Sequence, residues 1–294
     1  MATEVVDAMP PQPEFTSLGA GLDALEVGGA SHKPWWRRVL LAKIAPPVGA
    51  VVVILLIWDL LVVAGIKPAW ALPGPADVWD ELNAEWSQYQ MNQAIWDSVS
   101  RGVLGFAISV VVGTALGLSI AKVPVLRAAI QPILSGLQSL PSVAWVPIAI
   151  IWFGVTPATI YMVVLLGAIP SVTIGLIDGI DQLPPIYSRV GRNLGARGLN
   201  SARHVLFPAV MPGYMSGLKQ GWAFSWRSLM AGELLVIVPG AVSIGVRIQN
   251  AQDLFDTKLV ISYMLVVLIL GILIDVLFGR ADNALRKRWG LTKA

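Results

Sequence analysis

Residues 128–177, AAIQPILSGLQSLPSVAWVPIAIIWFGVTPATIYMVVLLGAIPSVTIGLI, form a run of 50 residues without Asp, Glu, Lys or Arg. One membrane crossing takes about 20 mostly apolar residues, so the run is long enough for two. Gly154-Val155-Thr156-Pro157 divides it, because glycine and proline together punctuate helices. A third span is predicted near 132–153 and a fourth near 158–178.

The rest of the chain follows the same pattern. Of its 294 residues, 55% are hydrophobic and 13% charged, with mean hydropathy +0.69. Soluble domains carry about 25% charged residues, so the composition is that of a membrane protein, and apolar runs of about 20 residues make it an all-α one. Further spans are expected at 44–66 (interrupted by Asp59), 98–121, 208–238 and 258–279, six in all.

The basic residues test this count. With the N-terminus in the cytoplasm, the inner segments hold Lys33, Arg37, Arg38, Lys43, Lys122, Arg127, Arg189, Arg192, Arg197, Arg203, Arg280, Arg286, Lys287, Arg288 and Lys293. The outer segments hold only Lys67, Arg247 and Lys258, while Arg101, Lys219 and Arg227 fall within spans. Fifteen against three satisfies the positive-inside rule with both termini inside. Trp35, Trp36, Trp70, Trp96 and Trp289 lie at expected interfaces. The basic residues are thus topology signals and give no ground for a nucleic-acid partner. The lipid bilayer is the expected surrounding.

Residues 1–32 read as a disordered acidic tail, with five carboxylates and no Lys or Arg in the first 30. Residues 33–43 read as a short interfacial helix, followed by a membrane domain over 44–294. The absence of cysteine excludes disulfides and thiolate metal sites. His32 and His204 lie outside the spans, so no metal site is expected. HExxH, GxSxG and P-loop motifs are missing, so the chain is not expected to be an enzyme.

Small residues recur every four positions as Gly167, Ser171, Gly175 and Gly179, as Gly213, Gly217, Gly221 and Ser225, and as Gly113 and Gly117. Such stripes let helix backbones approach closely. The fifth-span stripe serves either packing or sliding against a symmetry mate. Pro141, Pro147, Pro170 and Pro212 lie within spans. Pro141 and Pro147 either break a helix along a water-filled path, with Pro141 and Ser142 lining it, or mark a packing kink. Arg227 is the most informative charge, since an ionisable group inside a span is costly. Facing a cavity with Trp222 and Trp226, it would attract an anion. Otherwise it snorkels or pairs, although Glu233 is six residues away and on another face. Asp59, Glu233 and Asp275 read as isolated carboxylates, with no basic partner at helical spacing.

The most distinctive polar stretch is 189–208, RVGRNLGARGLNSARHVLFP, with four arginines and no carboxylate. Gly195, nine residues, then Val-Leu-Phe-Pro208 resembles the cytoplasmic loop of ABC importer permeases. LPGPADVW (72–79), SVSRGVLGF (98–106), LQSLPSVAWVPIAIIWFG (137–154) and GWAFSWRSLMAGELL (221–235) resemble segments of the sulfonate, taurine and nitrate importer group. Together these cover about 70–280. Arg189-Val190-Gly191 replaces the family's EAA positions, and Phe207 replaces leucine before the proline.

The resemblance implies a type I ABC importer permease architecture in a prokaryotic cytoplasmic membrane. Its coupling loop, 184–207 and on to Pro208, would contain a helix from about Ile186 to Leu194. Arg189, Arg192, Gly195, Ala196, Gly198 and Pro208 would meet the ATPase. Two ATPase copies, a second copy of this chain and an extracytoplasmic solute-binding protein are the implied partners. ATP and Mg would be bound by the ATPase, with no cofactor in this chain. Aliphatic sulfonates or taurine are the implied solutes, with nitrate, bicarbonate or a vitamin precursor as alternatives. An ion-coupled secondary transporter would need inverted repeats or paired intramembrane charges, and neither is visible in the sequence.

Overall fold

The computed structural model describes residues 45–184, 186–193, 195, 205 and 207–289, except for the side chains of Ser188 and Arg192. All regular structure among these residues is helical. The expected acidic tail and interfacial helix lie outside them. Two compact units divide at Leu60, one ending there and the other running from Leu61 to Ala294.

The first unit holds most of α1 (Ala45–Val63), a 19-residue helix with mean hydropathy 2.4. Its sequence is apolar around the whole circumference apart from Asp59, as suits a helix surrounded by lipid.

In the second unit, the short α2 (Pro75–Ser87) precedes the long α3 (Gln90–Lys122). The backbone N–H of Gly74 donates to Asp77 Oδ2 at 3.1 Å, which closes the first turn of α2. This satisfies one of the donors that a helix start leaves open.

The uncharged run then folds as predicted in outline and differently in detail. α4 (Pro124–Ser139) stops before Leu140-Pro141, a 3-10 turn spans Ser142–Trp145, and α5 (Val146–Phe153) follows. The two arms meet at 103°, so the third span is a bent pair rather than one straight helix. Pro141 lacks the N–H that would carry the helix onward. Pro147, expected to kink a span, instead sits in the first turn of α5, where its missing donor costs nothing. Gly154, at φ +68°, ends α5 in a conformation that glycine adopts without strain.

α6 (Pro157–Asp181) is the central helix of this unit. The short α7 (Ile186–Asn193), then α8 (Phe207–Leu235), α9 (Ile244–Asp253) and α10 (Thr257–Arg288) complete it. α9 was not anticipated. Ser243 caps it by accepting from the Val246 N–H, and Ile244, Val246, Ile248 and Ala251 bury one face.

The glycine stripes explain the centre. A Cβ on Gly175 would lie 2.3 Å from the Gly217 Cα, and one on Gly213 would lie 2.9 Å from the Gly179 Cα. α6 and α8 therefore run antiparallel, backbone against backbone, and the fifth-span stripe is used within the chain. On the other side of α6, Cβ atoms on Gly113 and Gly117 would meet Val172 and Leu176 at 2.9 and 3.0 Å. The Thr173 hydroxyl adds a hydrogen bond to the Gly113 carbonyl at 3.1 Å.

Four helices, α1, α3, α6 and α10, are long and apolar enough to cross a membrane, and the bent α4–α5 pair makes a fifth candidate. α8 has the length, at 29 residues, but carries Lys219, Arg227 and Glu233. It buries much of its surface against protein, so it needs less apolar character than a lipid-facing helix.

Candidate functional site

Three constellations lie on α8 and its neighbours in the second unit. The first is at the C-terminal end of α8. Glu233 is fully buried and accepts from Arg101 Nη1 at 2.5 Å, from Ser98 Oγ at 2.7 Å and from the Gly245 N–H at 3.3 Å. Ser98 Oγ also accepts from the Ile244 N–H at 3.0 Å. Glu233 thus joins α3, α8 and the positive N-terminal end of α9, where a carboxylate is favoured. A Cβ on Gly245 would lie 2.4 Å from that of Glu233, so only glycine lets the α9 backbone reach the carboxylate.

The second lies between the middles of α8 and α10. Lys219 Nζ is 2.9 Å from Asp275 Oδ1. Glu233 and Asp275 are therefore not isolated, as the sequence suggested. Their partners come from other helices, which spacing along one helix cannot reveal.

Beside this pair is a cleft of about 160 Å³ lined by Lys219, Trp222, Trp226, Arg227, Gly271 and Asp275, among others. Three expected path residues, Trp222, Trp226 and Arg227, are brought together here. The two indoles stack with centroids 6.2 Å apart, and Phe106 meets Trp222 edge-on at 5.3 Å. Arg227 is exposed. Its Nε donates to the Ala223 carbonyl at 3.3 Å, and its guanidinium lies 5.1 Å from the Phe224 ring centre. It does not pair with Glu233.

Pro141 and Ser142 do not line this cleft. Ser142 Oγ accepts from Ser228 Oγ at 2.7 Å, which fixes the bend of the α4–α5 pair against α8. Gln138 Nε2 donates to Ser171 Oγ at 2.9 Å and ties the end of α4 to α6.

The third constellation surrounds α7. The helix occupies almost the predicted range, and Gly195 beyond it has φ +81°. Ile186, Tyr187 and Val190 are exposed. With Gly191, Val205, Pro208, Ala209 and Trp289 they line an open groove of about 520 Å³. Arg189 is exposed, and Pro208 lies in the first turn of α8. Ala196, Gly198 and the Arg192 side chain lie outside what is described. Arg286 Nη2 donates to the Pro212 carbonyl at 3.4 Å, linking the end of α10 to the start of α8.

An exposed amphipathic helix at the start of a carboxylate-free, arginine-rich stretch has the makings of a protein-docking surface. Paired charges between helices of a membrane fold have the makings of a polar path. Among the described residues, no group of His, Cys, Asp and Glu could hold a metal ion.

The sequence and the fold are similar to those of known proteins. The chain is similar to the taurine transport system permease protein of Escherichia coli, 24% identical over 84% of this chain and 90% of that one. It is 29% identical to the nitrate import permease protein of Synechocystis, over 79% of this chain and 86% of that one. The bicarbonate transport system permease protein of Synechococcus elongatus is 26% identical, over 82% and 88%. The fold resembles a solved structure of the MetNI methionine ABC transporter in inward-facing conformations. That match has a TM-score of 0.58 and 16% identity, covering 67% of this chain and 96% of that one. Residues 109–288, more than half of the sequence, match the family of binding-protein-dependent transport system inner membrane components, and the chain belongs to that family.

Proposed function

We propose that this chain is the membrane-spanning subunit of an ATP-driven importer for a small anion, with an aliphatic sulfonate or taurine as solute. The substrates named for its relatives, taurine, nitrate and bicarbonate, are all small, and they support a site of this class. Nitrate and bicarbonate are the alternatives within the same machine, followed by a vitamin precursor.

In this reading α1, α3, the bent α4–α5 pair, α6, α8 and α10 make six crossings. The asymmetry of the basic residues supports cytoplasmic placement of both termini. The loop 184–207 meets a separate ATPase through Arg189, Arg192, Gly195, Ala196, Gly198 and Pro208. Two chains with two ATPases would move their α7 helices together and rock the attached spans. ATP and Mg bind in the ATPase. An extracytoplasmic binding protein delivers solute to a path that includes Trp222, Trp226 and Arg227, with Pro141 and Ser142 at the bend beside it.

The exposed apolar face of α7 carries this reading. Ile186 is 62% exposed and Val190 47%, on a helix that could bury both against a partner. The test is to purify the tagged permease with its neighbouring ATPase and binding protein, then measure solute-stimulated ATP hydrolysis in nanodiscs. Stoichiometric ATPase and stimulation by one anion are expected. Val190→Asp and Gly195→Asp should each lose the ATPase while the membrane domain stays monodisperse. Absence of ATPase from the parent preparation, together with no stimulation, overturns the proposal.

The two intramembrane ion pairs are what an ion-coupled secondary transporter would require. That reading predicts solute uptake driven by a proton gradient without ATP, which the same nanodisc preparation, converted to vesicles, can measure.

A further inference from the structure

Arg127 and Asp181 each carry the wrong sign for their own helix. Arg127 lies in the first turn of α4, where the positive end of the helix dipole disfavours a cation. Asp181 is the last residue of α6, where the negative end disfavours an anion. Neither helix gains from its charge alone, and the two charges meet each other instead. Arg127 Nη1 donates to Asp181 Oδ1 at 2.7 Å, and Nη2 donates to Oδ2. Arg127 Nε donates to Gln131 Oε1 at 3.2 Å, which orients the guanidinium on α4. A fork of this kind fixes direction as well as distance.

The fork sits at the root of α7. Only residues 182–185 separate Asp181 from Ile186. The Gln182 N–H donates to the Asp178 carbonyl at 3.0 Å, that of Leu183 to Ile180 at 3.2 Å and that of Tyr187 to Pro184 at 3.2 Å. The connection is therefore closed by hydrogen bonds and has little slack. On its other side, α4 packs on α6 through Leu134 and Ile177, with Leu126, Ile130 and Ile174 beside them. Apolar contact is non-directional and would let one helix slide along the other. Two directional links pin the register, about three turns apart on α4. One is the fork, and the other is the Gln138–Ser171 hydrogen bond of 2.9 Å.

We propose that the Arg127–Asp181 fork is a coupling link that makes α4 move with α7. The proposal rests on the importer reading above, in which an ATPase displaces α7. The short turn passes that displacement to the end of α6, and the fork passes it to α4. α4 ends at the 103° bend, and Ser142 beyond the bend is bonded to Ser228 on α8. Arg127 and Asp181 are thus positioning residues, acting through α4 and not on a solute. Their side chains are 32% and 39% exposed, and an exposed ion pair adds little to stability. Cutting the fork should uncouple the helices without unfolding the protein. A merely structural role would leave such variants indistinguishable from the parent.

The chain has no cysteine, so introduced cysteines alone can carry spin labels. Val125→Cys on α4 and Asn193→Cys at the end of α7 use two exposed positions. The labelled chain is diluted with unlabelled chain, assembled with its neighbouring ATPase in nanodiscs, and its α4–α7 distance is measured by pulsed electron resonance. In the parent, one narrow distance should persist in the nucleotide-free and the ATP–vanadate-trapped states. In Arg127→Gln and in Asp181→Asn the distribution should broaden and its centre should shift between the two states, while the ATPase stays bound and hydrolyses ATP. The swap Arg127→Asp with Asp181→Arg should restore the narrow distance. Its thermal midpoint should be no lower than the parent's, since each charge then suits its helix end. A parent distance that changes on trapping, single variants that match the parent, or a swap that stays broad overturns the proposal. So does loss of the ATPase in Arg127→Gln, which would place Arg127 in the docking surface. An ATPase missing from the parent preparation overturns the importer reading itself, and this link with it.

Discussion

Glu233 shows how much one buried residue can organise. Its carboxylate is 0% exposed and accepts from a guanidinium and a hydroxyl on α3 and a backbone N–H on α9. Removing one partner of such a pair costs about 3–5 kcal/mol, because the other charge stays buried without compensation. Arg101→Met should therefore unfold at markedly lower temperature, and Arg101→Met with Glu233→Gln should recover much of the loss. Thermal unfolding in detergent measures both, and an additive double variant would refute the coupling. Asp77 is a different case, exposed and on α2. The Gly74 N–H, and then Lys258 at 3.4 Å, hold its carboxyl below the ordinary carboxylate range. A lowered value means that the contribution is present at neutral pH and is lost as pH falls through the folded-state value. Hydrogen-exchange protection of the first turn of α2 should exceed that of Asp77→Asn at pH 7, and the difference should vanish in strong acid. Glu81, raised first by burial and then by Asp256 and Glu85, changes in the opposite sense, which makes the comparison with Asp77→Asn necessary.

At the scale of elements, α6 and α8 are joined by the absence of side chains. Gly175 and Gly217 bring their backbones together where any Cβ would overlap. Close approach lets many weak contacts form along the whole interface, which is how helices associate when water no longer drives them. Gly217→Val should force the helices apart and cost about 1–3 kcal/mol or more, the range for overpacking. Gly136→Val, at a position with open space around it, should be nearly silent. Comparable losses in both variants, measured by thermal unfolding, would mean that glycine is kept for another reason.

At the scale of the molecule, three polar features follow the line of α8. The α7 groove and Pro208 lie at its start, Lys219 and the cleft at its middle, and Glu233 at its end. A helix that begins at an exposed groove and lines a charged cleft along its length can link movement of the first to the shape of the second. The Arg286 hydrogen bond to the Pro212 carbonyl brings α10, the other wall of the cleft, into the same linkage.

The membrane class, most helix ranges, the α7 helix and the small-residue stripes were legible in the sequence, because apolar length and four-residue spacing are local properties. Arg227, Trp222 and Trp226 also announced themselves, as a charge and two aromatics on adjoining turns of one helix. The ion-pair partners did not. Arg101 is 132 residues from Glu233, and Lys219 meets Asp275 from another helix. The 103° bend and the placing of Ser142 on Ser228 were equally hidden. Hydropathy and periodicity report how each helix meets its surroundings. Which charge neutralises which is decided only when packing of the glycine faces sets the helices side by side.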